Sequence, residues 1–121
     1  MTQVVVFVCP HGAGKSRMAA AFFNRVAPDG WRATSAGQAP DPMVSPRAIR
    51  LLAGTDAEAL LDRAPPRPIA GVPSPARTVA IDCDVPGADR WALRHQEVGE
   101  AMRDELRARA QTLARELEGT R

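Results

Sequence analysis

The sequence predicts an α/β fold built on a parallel sheet, and three observations carry that prediction. Residues 4–8, VVVFV, are a continuous β-branched and aromatic run, which suits a strand buried on both faces. A short loop follows, then a helical pattern with Met18, Ala19, Phe22 and Val26 at i, i+1, i+4 and i+8. Residues 31–35 then read as a second strand. Strand, loop, helix and strand at this spacing make a βαβ unit with a right-handed crossover.

The elements follow in order. The first helix starts at Ser16 and stops at the Pro28-Asp29-Gly30 turn. Ser45-Pro46 reads as an N-cap with proline at the first helical position, opening a short helix over 47–53 that Gly54 closes. Residues 56–63 read as another short helix. The stretch 64–76, APPRPIAGVPSPA, holds five prolines and a glycine and is a surface loop too short to separate domains. Residues 78–81 are a third strand ending in Asp82-Cys83-Asp84, and 90–93 a short fourth. From Glu97 onward Val98, Met102, Leu106, Ala110, Leu113 and Leu117 form one apolar stripe of a long helix, with arginine and glutamate on its solvated face. No internal repeat is visible. A chain of 121 residues reads as one domain spanning 1–121.

Composition narrows the function classes. Hydrophobic content of 45% with 25% charged residues is that of a globular protein. A net charge of +2 and three Phe, two Trp and no Tyr argue against a nucleic-acid surface. No stretch approaches the ~20 apolar residues of a membrane span, and no basic segment precedes residues 4–8 as in a signal peptide. A cytoplasmic protein without a membrane partner is expected, and its two cysteines are then thiols for catalysis or redox exchange. No metal and no cofactor is expected. Of the 16 basic residues only Lys15 is a lysine.

That lysine lies in CPHGAGKSR, residues 9–17, directly after the first strand. The segment has two parses. A nucleotide phosphate loop reads G-x-x-x-x-G-K-[ST]. Gly14, Lys15 and Ser16 satisfy it, but Cys9 stands where the first glycine belongs. The second parse starts at Cys9. A glycine-containing loop between a strand end and a helix start turns backbone N–H groups inward as an anion nest, and the helix dipole adds positive character. That field favours the thiolate of a cysteine at the mouth, to which Ser16 can donate a hydrogen bond. Such a thiolate attacks a tetrahedral oxyanion held by the loop. The candidate oxyanion ligands are therefore Pro10, His11, Gly12, Ala13, Gly14, Lys15, Ser16 and Arg17.

At this point the sequence resembles the low-molecular-weight protein tyrosine phosphatases and the thioredoxin-coupled arsenate reductases that share their fold. The family opens with a buried strand and a Cys-(x)5-Arg-Ser loop, and its reductase branch typically reads C-x-H-N-A-G-R-S-Q-M-A. Cys9 to Ala19 here read C-P-H-G-A-G-K-S-R-M-A, and AAAFFNRVAPDGWRATSAG (19–37) is also similar to that branch. The likeness is strong over roughly residues 3–50 and weaker beyond. It implies a three-layer α/β sandwich with a four-stranded parallel sheet flanked by helices. It also implies Cys9 as nucleophile, Ser16 as thiolate partner and Cys83 near the place of the second redox cysteine.

The departures are specific. The family's loop arginine is Lys15, a point charge in place of a bidentate fork. The loop asparagine is Gly12, which removes a bracing side chain and adds conformational freedom. After Trp91 the chain reads ALRHQEV without the phosphatases' late Asp-Pro acid. Asp82 and Asp84 are the leading acid candidates, with Asp89 and His95 behind them. The third cysteine of the thioredoxin-coupled relay is missing, so a reductase here would use Cys9 and Cys83 alone or a small external thiol reductant. The expected function is cysteine-thiolate chemistry on a phosphate- or arsenate-like oxyanion or a phosphorylated substrate. The alternatives are an oxyanion-binding or regulatory protein of the same fold and a nucleotide binder.

Overall fold

The computed structural model describes residues 2–119. Seven regular elements alternate: β1 (Gln3–Cys9), α1 (Lys15–Val26), β2 (Trp31–Gly37), α2 (Pro46–Leu52), β3 (Arg77–Ile81), β4 (Asp89–Trp91) and α3 (Glu100–Leu117). The four strands form one all-parallel sheet in the order β2-β1-β3-β4. β1 therefore lies inside the sheet, which is why it is apolar on both faces: Val5, Val6, Phe7 and Val8 are all fully buried.

The two faces of β1 feed two unequal clusters. Val5, Phe7 and Cys9 pack into the larger one with Met18, Phe22 and Phe23 of α1, Leu52 of α2 and Met102 and Leu106 of α3. Phe7 sits at its centre, 6.1 Å from the Phe23 ring and 5.3 Å from Trp91. Each such large apolar side chain contributes about 1.5–3 kcal/mol on burial. Val6 and Val8 point the other way, into a small cluster with Ala36, Ala80 and Cys83, against which Ile69, Val72, Val85 and Ala88 pack. The proline-rich segment and its 3-10 turn Ile69–Gly71 thus form the third layer of the α/β sandwich.

Several local expectations are corrected. The segment expected as a helix over 56–63 is only a 3-10 turn, Glu58–Leu60. The long helix begins at Glu100 rather than Glu97 and leaves Val98 exposed, because Gly99 interrupts the pattern. β4 is Asp89–Trp91 rather than 90–93. The outer edge of β2 is covered from within the chain. Asn24 of α1 donates to the Ala33 carbonyl at 3.0 Å and accepts from its N–H at 2.7 Å, imitating a strand partner. Among the described residues, no helix is long and apolar enough to cross a membrane.

This topology fixes where a site can form. The chain leaves β1 toward β2 on one side, and β3 lies on the other side of β1. The loop after β1 therefore stands at the point where strand order reverses, at the carboxyl ends of the strands.

Candidate active site

The loop from Cys9 to Gly14 is held from outside, carbonyl by carbonyl. The carbonyls of Cys9, Pro10 and His11 accept from the N–H groups of Gln38, Ala39 and Asp41 at 3.2, 2.8 and 3.1 Å. The Gly12 carbonyl accepts from Arg17 Nε at 2.9 Å. Those of Ala13 and Gly14 accept from the N–H groups of Ser45 and Met18 at 2.8 and 3.0 Å. A trans peptide directs its N–H opposite to its carbonyl. With the carbonyls outward, the N–H groups turn inward, and those of His11, Ala13, Gly14, Lys15 and Ser16 have no acceptor among the described residues. That is an anion nest continued by the start of α1.

Cys9 lies at its floor. Its Sγ accepts from the Gly12 N–H at 3.2 Å and is 3.1 Å from Ser16 Oγ. Ser16 is fully buried at the first turn of α1, where its hydroxyl donates to the sulfur in the thiolate form. Gly12 has φ +66°, a left-handed conformation that favours glycine, and any Cβ there would come within 2.7 Å of the Gly37 nitrogen. Gly37 is hemmed in reciprocally: a Cβ on it would meet the His11 carbonyl carbon at 2.5 Å. Gly12 therefore pins the loop against β2, and the added freedom expected at this position is absent.

Cys9 opens onto a cavity of 330 Å³. Met18, Ala48, Val98 and Met102 form its apolar wall, and His11, Lys15, Asp41, Ser45 and Arg47 its polar side. Four larger clefts, of 640, 500, 470 and 390 Å³, are lined without any cysteine, so chemistry rather than size identifies the site. Among the described residues, no group of His, Cys, Asp and Glu could hold a metal ion.

The structure separates the remaining candidates. Lys15 reaches the cavity with its Nζ on Asp82 Oδ2 at 2.7 Å. Asp82 has φ +53°, and its other oxygen accepts from the Leu93 N–H at 3.0 Å and Gln96 Nε2 at 3.3 Å. Burial pushes the Asp82 carboxyl up, but the bonds from Lys15, Leu93 and Gln96 outweigh it and hold it below the usual carboxylate range. Asp82 is thus a carboxylate at neutral pH, a partner of Lys15 rather than a resting acid. Asp84 is largely exposed, pairs with Arg90 at 3.3 Å and lies outside the cavity lining. Asp89 pairs with Arg77 at the surface, and the His95 N–H is taken by Glu105.

Cys83 is buried in the small cluster on the other face, its Sγ 3.6 Å from the Val8 carbonyl. Burial first, and then the neighbouring Cys9, push its thiol up. Arg17, expected beside the anion, is turned behind the loop instead and does not line the cavity. Asp41 went unrecognised in the sequence. The register that pairs Cys9 with Gly37 sets residues 38–41 beside 10–12, and Asp41 lines the cavity with its Oδ1 3.5 Å from His11 Nδ1. The signal available was an acidic residue just past the second strand of a βαβ unit.

The lowered Asp82 pKa has a consequence for stability of definite sign. Stability from such a group is present above its unfolded value, near pH 4, and is lost as pH falls through the folded value. Asp82→Asn is expected to lower the urea midpoint at pH 7 and to flatten the stability loss on acidification below about pH 4. Urea titrations of both proteins at pH 7 and pH 3 check this.

No family profile matches the chain, and no curated protein sequence does. Solved structures do. The chain is similar to an arsenate reductase from Archaeoglobus fulgidus, with 28% identity over 91% of this chain and 98% of that one and a TM-score of 0.73. It is similar to a thioredoxin-dependent arsenate reductase from Corynebacterium glutamicum, with 21% identity, 99% of this chain and 64% of that chain covered, and a TM-score of 0.77. It is also similar to a low-molecular-weight protein tyrosine phosphatase from Bacillus subtilis, with 18% identity over 98% and 99% of the two chains and a TM-score of 0.71. The chain has the fold that arsenate reductases and these phosphatases share.

Proposed function

We propose that this chain, with the fold of the arsenate reductases and low-molecular-weight phosphatases, is a cysteine-thiolate enzyme that hydrolyses phosphate monoesters. The observation that carries the reading is the loop itself: six outward carbonyls, five inward N–H groups without an acceptor among the described residues, and Cys9 Sγ accepting from the Gly12 N–H beside them. The nest binds the phosphoryl oxygens and is preorganised for charge that develops in the transition state. Cys9 Sγ attacks phosphorus, the ester bond breaks, and the leaving oxygen takes a proton from Asp41. Asp41 then accepts a proton from a water that attacks the phosphocysteine. The S–P bond breaks, phosphate leaves and the thiolate returns. Lys15 stands at the mouth as a cation shared with Asp82, so an entering dianion competes with that carboxylate for it.

Hydrolysis of an aryl phosphate under reducing conditions, with inorganic phosphate as competitive inhibitor, tests the reading. Absence of turnover across pH 5–8 would count against it. If Asp41 is the acid, Asp41→Asn lowers kcat by about 100-fold or more on alkyl phosphates and by less on aryl phosphates, whose leaving groups need less protonation. Equal losses on both substrates would remove Asp41 from the role.

Arsenate reduction is the second reading, supported by the 28% identity to an arsenate reductase. It needs a thiolate to attack Cys9 in the arsenylated enzyme, so that a disulfide forms as arsenic(V) leaves as arsenic(III). Cys83 lies outside the cavity lining and its thiol is pushed toward the protonated form. The reductant would then be an external thiol, and Cys83→Ser would leave thiol-dependent arsenate reduction intact.

A further inference from the structure

We propose that Arg17 is a positioning residue for the thiolate site, its buried guanidinium fixing the Gly12 peptide and supplying from behind the loop the positive charge that Lys15, held by Asp82, does not deliver. The inference rests on the thiolate reading above.

Arg17 is the largest fully buried side chain of the protein, 1% exposed. Its Nε donates to the Gly12 carbonyl at 2.9 Å, and its Nη1 donates to the Asp62 carbonyl at 2.5 Å and lies 3.7 Å from Asp62 Oδ1. Nη2 is buried without a partner among the described residues. Five of the six loop carbonyls from Cys9 to Gly14 are held by main-chain N–H groups; only that of Gly12 is held by a charged side chain. Gly12 is also the residue whose N–H meets the Cys9 sulfur. Its carbonyl, pulled outward by Arg17, sets the following Ala13 N–H inward. Arg17 thus fixes the Gly12–Ala13 peptide, the one next to the peptide whose N–H meets the nucleophile.

Its cost points the same way. A buried cation with an unpaired donor is destabilising, so an apolar residue would serve packing better. The surrounding charges leave Arg17 incompletely neutralised, although Arg47 also lines the cavity. Lys15 of the cavity lining is paired at 2.7 Å with Asp82, which lies outside that lining, and His11 faces Asp41 within it. Behind the loop, Asp62 is shared between Arg17 and Arg67, the latter at 2.8 Å, so two guanidinium groups face one carboxylate. Guanidinium stays charged across the working pH range, and the interior screens it poorly.

The test reads the thiolate rather than turnover. Alkylation of Cys9 by neutral iodoacetamide at pH 6 is timed in a Cys83→Ser background, so that one thiol reports. Arg17→Gln, which keeps a donor for Gly12 but loses the charge, is expected to slow alkylation about threefold or more. Arg17→Lys, which keeps the charge, should stay within about twofold of the parent. If Arg17→Gln fails to fold by circular dichroism, Asp62→Asn decides, since losing that carboxylate should speed alkylation. Alkylation in Arg17→Gln at the parent rate overturns the proposal. So does equal slowing by Arg17→Lys, or an unchanged rate in Asp62→Asn when that variant decides. If these rates behave as expected while no phosphate ester or arsenate is turned over, the role of Arg17 stands and the enzymatic reading falls.

Discussion

Cys9→Ser is expected to abolish turnover of an aryl phosphate, a loss of about 10,000-fold or more in kcat. A serine hydroxyl is isosteric enough to keep the loop but is not ionised near neutral pH. The Gly12 N–H and the Ser16 hydroxyl, 3.2 and 3.1 Å from the sulfur, stabilise an anion that the serine does not provide. The nest itself survives, because its carbonyls are held by Gln38, Ala39, Asp41, Arg17, Ser45 and Met18 and not by the nucleophile. Phosphate should therefore bind Cys9→Ser as well as the parent or better, one negative charge having been removed from the floor. Steady-state hydrolysis and calorimetric phosphate titration of both proteins separate the two effects. Phosphate binding in both with turnover in neither would instead identify an oxyanion-binding protein. Magnesium-dependent nucleotide binding that survives the substitution would revive the nucleotide parse.

Gly37→Ala should damage anion binding severely with a single methyl group. Its Cβ would lie 2.5 Å from the His11 carbonyl carbon and 2.6 Å from the Gly12 nitrogen, both main-chain atoms that cannot turn aside. Overpacking of this kind costs about 1–3 kcal/mol or more. Gly37 is also tied on its other side, where its N–H donates to the Arg67 carbonyl at 2.9 Å. The strain must then be relieved by lifting residues 11–12, the peptides that face the anion. Gly71→Ala, with its nearest contact at 3.6 Å, is the control. Loss of phosphate affinity and a lower urea midpoint in Gly37→Ala alone is the expected result. Normal affinity would show that the contact between loop and strand does not shape the site.

The fold was legible where periodicity spoke clearly. The run at residues 5–8, the Met18–Phe22 face and the stripe through Met102, Leu106 and Leu117 bury themselves as their spacing requires. The segment over 56–63 misled because its short apolar spacing reflects Ala57 and Leu61 tucked into the core from a 3-10 turn. Residues 9–16 were legible from local sequence alone as a loop between a strand end and a helix start, with Cys9 where the loop begins. What was not legible depended on long-range register. Asp82 reads as a free acid until Lys15, 67 residues earlier, is seen on it. Asp41 becomes a site residue only through the pairing of β1 with β2. Arg17 looks like a second anion ligand in sequence, yet one helical turn sends it behind the loop to Asp62, which no local pattern encodes.

The pairing of Lys15 with Asp82 at the cavity mouth has a practical consequence. Lys15 is the only lysine in the chain, so its ε-amine is the only one a lysine-directed acylating reagent can modify. Acylation would cancel the charge, release the Asp82 carboxylate and crowd the entrance to Cys9 in a single event. A tethered fluorophore or an acetyl mark would thus have a single lysine side chain to attach to. Its rate of attachment, slowed by whatever anion occupies the nest, would turn the lone amine into a built-in gauge of occupancy.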